Sequence, residues 1–193
     1  MSFPMHERMN VVEGNLALLD VEAVVNPCGK RRDVLYGAVE GALHAAAGPQ
    51  LLAAYRKLGW IDVGIARMTP GFDLQARWVI HTMAPRWWGG NEGEARDLLE
   101  AYRLCLRVAE QAQFSSLALP CLATGTFGYP RQMTVPLAVT ATATFLGRHD
   151  YPRVVTFCCH NRRDANHYRR LLGYPELPRD YSLDGDRRWP EIW

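Results

Sequence analysis

The chain has 193 residues, a length expected for one domain or for one domain with a tail. Apolar residues make up 48% of the sequence and charged residues 22%, which allows a sizeable core and excludes global disorder. The net charge of +2 neither requires nor excludes a nucleic-acid partner. No apolar run approaches the length of a membrane span, and the first ten residues lack the pattern of a secretory signal. We therefore expect a cytoplasmic protein with no membrane partner.

The cysteines indicate a reducing compartment rather than a disulfide framework. There are five, an odd number, and two of them are adjacent within an apolar run. No paired-cysteine or cysteine/histidine spacing typical of a metal site is present. The sequence therefore predicts buried free thiols, no bound metal and no cofactor.

The first half of the chain alternates short apolar runs with helical patterns. Strands are predicted at residues 11–12, 23–25 and 64–68, and helices at residues 37–48 and 50–58. The first helix is rich in alanine and ends at Gly48, directly before a proline. Residues 69–71, with the sequence Thr-Pro-Gly, predict a turn.

The second half continues the same alternation. Strands are predicted at residues 77–81, 116–120 and 153–159, and helices at residues 92–113, 134–146 and 164–172. Strands without polar alternation, separated by helices, predict a mostly parallel but mixed sheet covered on both faces, in a three-layer α/β/α domain. We assign residues 1–172 to this domain. Residues 173–193 have no periodicity and are predicted to be a tail that packs back on the domain.

Unusual residues follow three of the predicted strands. They are Asn26 after the second, residues 123–129 after the fifth, and His160 after the last. Because the carboxyl ends of parallel strands meet at one edge of a sheet, we expect these groups to converge on a ligand. Gly125 and Gly128 lack side chains, so the backbone amides beside them are able to approach an anionic group closely.

The order of these motifs resembles the macrodomain family, whose members bind ADP-ribose. The resemblance covers roughly residues 9 to 172. It depends on five segments in order, residues 13–27, 37–48, 77–90, 117–130 and 154–172. LATGTFGYP, within the fourth segment, is the most specific. It is similar to the family's second phosphate loop, whose backbone amides hold the diphosphate.

The resemblance implies a role for each matching residue. Asn15 stands where the family usually has an aspartate that binds the adenine amino group, and His160 where an aromatic side chain often stacks on adenine. Asn26 matches the first asparagine of the family's first loop, in which Gly37 is also retained. The ligand-binding residues implied in the second loop are Thr124, Gly125, Thr126, Phe127 and Gly128, with Phe127 beside the distal ribose.

The first loop departs from the pattern of the family's hydrolytic members. The second asparagine is replaced by Gly29, and the glycine run is replaced by residues 30–40, KRRDVLYGAVE. Glu40 stands near the position of the aspartate that orients the attacking water, and it is our candidate catalytic residue. A solvated carboxylate on a helix is the alternative interpretation. Asp33 is a second candidate in the same loop.

Other residues have both functional and structural interpretations. Lys30, Arg31 and Arg32 are either a solvated surface or a contact to the diphosphate or to an anionic acceptor. Trp87 and Trp88 either line the substrate site or cover an edge of the core. Four further residues, Cys28, Cys121, His44 and His81, are expected to be structural.

Two functions from different classes remain. The first is hydrolysis of ADP-ribose adducts, either mono-ADP-ribosylated macromolecules or O-acetyl-ADP-ribose. The second is a non-catalytic reader of ADP-ribose, which Gly29 favours. A pocket for another nucleotide or for a nucleic-acid end is a third possibility. Contact with nucleic acid is otherwise expected only through an attached ADP-ribose or through the basic loop.

Overall fold

The computed structural model of the chain describes residues 5–29 and 37–178, with the backbone alone at residues 5 and 6. The strands are β1 (Met9–Glu13), β2 (Ala23–Pro27), β3 (Ala66–Pro70), β4 (Trp78–Thr82), β5 (Ser116–Pro120) and β6 (Val154–Cys159). The α-helices are α1 (Ala38–Ala47), α2 (Pro49–Lys57), α3 (Glu94–Gln111), α4 (Arg131–Leu146) and α5 (Arg162–Leu171). Two single turns of 3-10 helix, Met5–Arg8 and Leu16–Leu18, adjoin β1.

In the described part of the chain, the six strands form one sheet in the order β1-β6-β5-β2-β4-β3. All neighbouring pairs are parallel except β3 with β4, which is antiparallel. The predicted mixed, mostly parallel sheet is therefore confirmed.

Successive residues in the central strands face two different hydrophobic cores. In β2, Val24 packs in a core with residues of α1 and α2, whereas Val25 packs in a second core with residues of α3, α4 and α5. Leu117 and Ala118 of β5 divide in the same way. All four side chains are fully buried. Both faces of the sheet are therefore covered, which confirms the three-layer α/β/α architecture and explains why the strands lack polar alternation.

The longest helix, α3, has a single buried stripe. Leu98, Tyr102, Leu106 and Ala109 recur at spacings of three or four residues and are fully buried. Arg103, between them, is exposed. This pattern is the one that the sequence predicted, and it places α3 against β4 and α4.

Two predicted boundaries were wrong. The predicted turn at residues 69–71 begins too early, because Thr69 and Pro70 pair with β4 and extend β3. Proline is tolerated there because β3 is an edge strand. Helix α4 begins at Arg131, three residues before the predicted start, because Pro130 precedes it as the N-cap residue and Pro136 is accommodated within it.

The segment after α5 returns to the domain. The Tyr174 hydroxyl donates to the Met9 carbonyl (2.9 Å), and the amide of Leu177 donates to Asn166 Oδ1 (2.8 Å). Trp189 and Trp193 lie outside the described residues. The division into a domain and a tail at residue 172 stays a prediction. No helix in the described ranges is long and apolar enough to cross a membrane.

Candidate functional site

The carboxyl ends of β1, β6, β5, β2 and β4 lie at one edge of the sheet, called here the carboxyl edge, because these five strands are mutually parallel. Between the neighbouring strands β5 and β2, the order in which the chain adds strands to the sheet changes direction. From β5 it passes to β6 on one side, whereas from β2 it passes to β3 and β4 on the other. Such a switch point opens a crevice at the carboxyl edge, which is where ligands bind in folds of this class.

The segment after β5, residues 121–129, crosses this switch point and is called here the glycine loop. The Gly128 amide donates to the Gly125 carbonyl (2.9 Å), and the Tyr129 amide donates to the Ala123 carbonyl (3.0 Å). Ala123 adopts a φ of 66°, which is uncommon for a residue with a side chain. These bonds fold the loop tightly and leave Gly125 and Gly128 exposed.

The glycine loop presents free backbone donors. The amides of Thr124, Gly125 and Phe127 make no hydrogen bond to another residue within the described ranges. A Cβ atom added at Gly125 would have no heavy atom within 4 Å, so the space in front of the loop is open. Exposed amides beside an open space are suited to an anionic group.

Tyr102 of α3 fixes the beginning of the glycine loop from the core side. Its fully buried hydroxyl donates to the Pro120 carbonyl (3.4 Å) and accepts from the Leu122 amide (3.0 Å). Burial raises the pKa of this hydroxyl, so it stays protonated and available as a donor. Thr124 Oγ1 also donates to the Cys121 carbonyl (2.9 Å).

A second segment, residues 84–93, supports the glycine loop from the side. The Trp87 amide donates to the Phe127 carbonyl (2.9 Å), and the Trp87 ring lies 4.5 Å from the ring of Tyr129. Trp87 therefore covers an edge of the core, as one of the two interpretations held. Trp88 does not, because it is 71% exposed.

Glu94, at the start of α3, organises this segment. Its Oε1 accepts from the amides of Trp88 (2.9 Å) and Gly90 (3.0 Å), and its Oε2 accepts from the amide of Glu92 (2.7 Å). Burial alone raises the pKa of a carboxyl, but these amides and that of Glu94 itself lower the pKa of Glu94 to about 2. The side chain is thus an anion that fixes three backbone amides of the segment before α3.

Asn26 is fully buried in β2 next to the switch point. Its Nδ2 donates to His81 Nδ1 (3.1 Å), since a carboxamide nitrogen has no acceptor. His81 Nε2 therefore carries the ring proton and donates to Thr69 Oγ1 (2.8 Å). Burial and then the nearby His44 lower the pKa of His81 to about 3, so the ring is neutral. This leaves Asn26 Oδ1 as a buried acceptor without a partner among the described residues.

Glu40 lies in the first turn of α1 and is completely buried, so the interpretation as a solvated carboxylate was wrong. His44, one turn later, is also buried, and burial lowers its pKa. Gly37 is the N-cap residue, and a Cβ atom added there would have no heavy atom within 4 Å. The rest of the first loop, residues 30–36, lies outside the described residues, including the basic cluster and Asp33.

Asn15 and His160 lie together at the far side of the carboxyl edge. The strands that precede them are paired, with Glu13 opposite Cys159 and the Gly14 amide donating to the Cys159 carbonyl (2.9 Å). Both side chains are exposed. Asn15 Oδ1 accepts from the Ala17 amide (3.0 Å), which fixes the orientation of the side chain.

The cysteines are free thiols, as predicted, but Cys121 is only half-buried, so the prediction that all of them are buried was wrong for that residue. Burial raises the pKa of Cys105 and that of Cys158 to about 12, so neither is a thiolate at neutral pH. Contact with Cys121 raises the pKa of Cys159 further. In the ranges that the structure describes, no group of three His, Cys, Asp or Glu side chains is placed to hold a metal ion.

The site therefore unites the predicted residues along one edge and adds others. Tyr102 and Glu94 were not identified from the sequence as residues that support the loops. Helical spacing indicates only that Tyr102 is a core residue and that Glu94 is an acidic residue in the first turn of a helix. The only sequence signal for Glu94 was its position directly after Gly93 at the start of a helix.

The chain is similar to proteins of known type. A family model described as Macro domain matches residues 25–138. A protein named O-acetyl-ADP-ribose deacetylase from Salmonella typhi is 41% identical over 172 residues, which are 87% of this chain and 96% of that protein.

Solved structures give the same result. The Oceanobacillus iheyensis macrodomain with ADP has a TM-score of 0.80 and 28% identity, and the match covers 84% of this chain and 88% of that one. The Trypanosoma brucei macrodomain in complex with ADP-ribose has a TM-score of 0.78 and 28% identity, covering 86% of this chain and 69% of that one.

Replacing Tyr102 by phenylalanine should destabilise the protein by about 1–3 kcal/mol, because the buried Leu122 amide and Pro120 carbonyl lose their partner. Urea unfolding measures the effect. Arg103→Ala, on the exposed face of the same helix, is the control and should change stability by less than about 0.5 kcal/mol. Equal stability of the two variants would contradict the proposed support of the loop.

Replacing Glu94 by glutamine should destabilise the protein at pH 7, because the new amide nitrogen faces the Glu92 amide. The folded-state pKa of about 2 lies below the usual value of 4.5, so Glu94 contributes stability above pH 4.5 and loses it as the pH falls toward 2. The difference between wild type and variant, from urea unfolding at pH 7, 4 and 3, should therefore shrink with acidity. Glu92→Gln, whose side chain is exposed, should show no such trend.

Proposed function

Because the chain belongs to the macro domain family, we propose that it binds ADP-ribose at the carboxyl edge and hydrolyses ADP-ribose adducts. The observation that carries the proposal is the exposed glycine loop, with free amides and open space at Gly125, on a sheet edge next to a buried carboxylate. Adducts of two kinds fit it, O-acetyl-ADP-ribose and mono-ADP-ribosylated macromolecules.

Each part of ADP-ribose has a complementary group along the edge. The diphosphate lies on the amides of Thr124, Gly125 and Phe127, and the half-buried ring of Phe127 lies beside the distal ribose. Adenine lies at the other end, between Asn15 and His160. Thr126 and Gly128 complete the glycine loop, and the open space at Gly37 leaves room for the ligand on the opposite side.

The hydrolytic step requires a group that orients water at the distal ribose. Glu40 is the candidate for this role because it lies in the first turn of α1, where the helix N-terminus favours the ionised carboxyl and so opposes the effect of burial. Asn26 Oδ1, a buried acceptor without a partner in the described ranges, is suited to accept a hydrogen bond from a hydroxyl group of the ligand. The amides of the glycine loop disperse charge on the diphosphate during the reaction.

A second function, binding without catalysis, is favoured by one observation. Gly29 stands where the hydrolytic pattern has its second asparagine, so an amide that positions the distal ribose is missing. Loss of such positioning reduces a rate more than it reduces an affinity. The two functions therefore differ in turnover and not in ADP-ribose binding. For either function we propose a cytoplasmic location, which the five free thiols support.

Replacing Gly125 by valine should weaken ADP-ribose binding by at least about 10-fold, because the branched side chain occupies the space in front of the loop amides. The variant should fold normally, since the added Cβ atom meets nothing within 4 Å and φ is not positive. Calorimetric titration with ADP-ribose measures the effect. Thr144→Val, at an exposed position of α4, is the control. Unchanged affinity in the Gly125 variant would place the diphosphate elsewhere.

Replacing Glu40 by glutamine should abolish most of the turnover, about 100-fold or more, while ADP-ribose affinity changes only a few-fold. The substrates are O-acetyl-ADP-ribose, a mono-ADP-ribosylated protein and ADP-ribosylated DNA. Turnover is measured as release of ADP-ribose. The control is Glu110→Gln, near the C-terminal end of α3, which should retain wild-type rates. Wild-type protein that binds ADP-ribose but turns over none of the three substrates is a reader.

A further inference from the structure

Trp88 is a large aromatic side chain that the core does not use. It is 71% exposed, whereas its neighbour Trp87 packs on Tyr129. Tryptophan is enriched at interaction surfaces, where its large apolar face contacts a partner. In an ADP-ribose adduct, such a partner is whatever is attached to the distal ribose.

The backbone that carries Trp88 is fixed. Its amide donates to Glu94 Oε1 (2.9 Å), and the Gly90 amide on the other side donates to the same oxygen (3.0 Å). The preceding residue, Trp87, is bonded to the glycine loop through Phe127. The backbone at Trp88 therefore has a defined position next to Phe127, and contact with a partner requires little additional ordering of that backbone.

Arg86 joins Trp88 to the proposed site. Its guanidinium carbon lies 5.8 Å from the centre of the Trp88 ring and 5.6 Å from the centre of the Phe127 ring. The side chain is exposed and forms no ion pair with a carboxylate in residues 5–29 or 37–178. Arg86 thus places an unneutralised positive charge between an exposed aromatic face and the wall of the ribose site.

Basic side chains also follow the glycine loop on its other flank. Arg131 begins α4 two residues after Tyr129, and with Arg163 and Arg170 it lines a cavity of about 210 Å³. Arg131 is paired with Asp164, and Arg170 with Glu176, whereas Arg163 is exposed and has no carboxylate partner in the described part of the chain. Arg163 therefore adds one positive charge, unpaired among the described residues, to the cavity beside the start of α4.

We propose that Arg86 and Trp88 form a platform for a single-stranded nucleic acid that carries the ADP-ribose. A base stacks on the exposed indole, and an adjacent phosphate pairs with the Arg86 guanidinium. Peptide acceptors offer charge but rarely a flat aromatic face, so the combination of indole and guanidinium favours a nucleic acid. The inference rests on the proposed binding of ADP-ribose and names the acceptor for that site.

The test compares three ligands on each protein: free ADP-ribose, an ADP-ribosylated peptide and an ADP-ribosylated single-stranded oligonucleotide. Trp88→Ala should lower affinity for the oligonucleotide adduct by about 5- to 100-fold relative to free ADP-ribose, and Trp88→Phe should restore most of it. Arg86→Gln should reduce the salt dependence of oligonucleotide binding by about one phosphate contact. Phe72→Ala, an exposed aromatic at the opposite edge of the sheet, should change nothing.

If the wild type binds free ADP-ribose, two results would overturn the platform. One is an equal loss of affinity for the peptide and oligonucleotide adducts in the Trp88→Ala variant. Trp88 would then contact the ADP-ribose that both adducts share. The other is an unchanged affinity for the oligonucleotide adduct in the Trp88→Ala variant.

Quenching of tryptophan fluorescence by the unmodified oligonucleotide separates the platform from the proposed function. If free ADP-ribose does not bind the wild type, the proposed function fails, and quenching that disappears in Trp88→Ala still supports the platform. Absence of quenching in that case overturns the platform as well.

Discussion

Burial of both faces of a mostly parallel sheet is the constraint on which the other features depend. Val24 and Val25, adjacent in sequence, belong to opposite cores, and each core needs helices to cover it. Parallel neighbours can be joined only through crossovers, and these return every parallel strand to the same direction. The consequence is one edge that collects the segments after five strands, and the ligand site follows from that geometry.

At this edge, precision comes from a few buried polar groups rather than from the loops themselves. One hydroxyl, on Tyr102, bonds to the backbone on both sides of Cys121, and one carboxylate, on Glu94, holds three backbone amides. One neutral imidazole, on His81, fixes the amide of Asn26. Each group would be costly to bury without these partners, so the need to satisfy it also fixes the surrounding backbone. The free amides of the glycine loop are thereby held in place without forming hydrogen bonds of their own in the described residues.

The proposed binding and the proposed hydrolysis depend on different parts of this edge. The glycine loop is complete, and its amides require no particular side chain. The proposed hydrolysis depends instead on side chains in and beside the first loop, where Gly29 has no side-chain amide and Glu40 has a longer stem than an aspartate. Chemistry is more sensitive to such small displacements than affinity is, because a reacting geometry tolerates little misplacement. The proposed acceptor platform concerns a third part of the edge and the selection of the adduct.

The sequence by itself determined the order and type of the elements, the two-sided burial of the sheet and the convergence of Asn26, the glycine loop and His160. These follow from local periodicity and from the direction of parallel strands, which a single chain encodes directly. Only the tertiary structure decided that Glu40 is buried, that Thr69 belongs to a strand, and that Trp87 and Trp88 have opposite environments. Such outcomes depend on which residues distant in sequence pack together. Helical or strand spacing gives a residue's own face but not the partner that covers it, and the burial and pKa of a polar group are set by that partner.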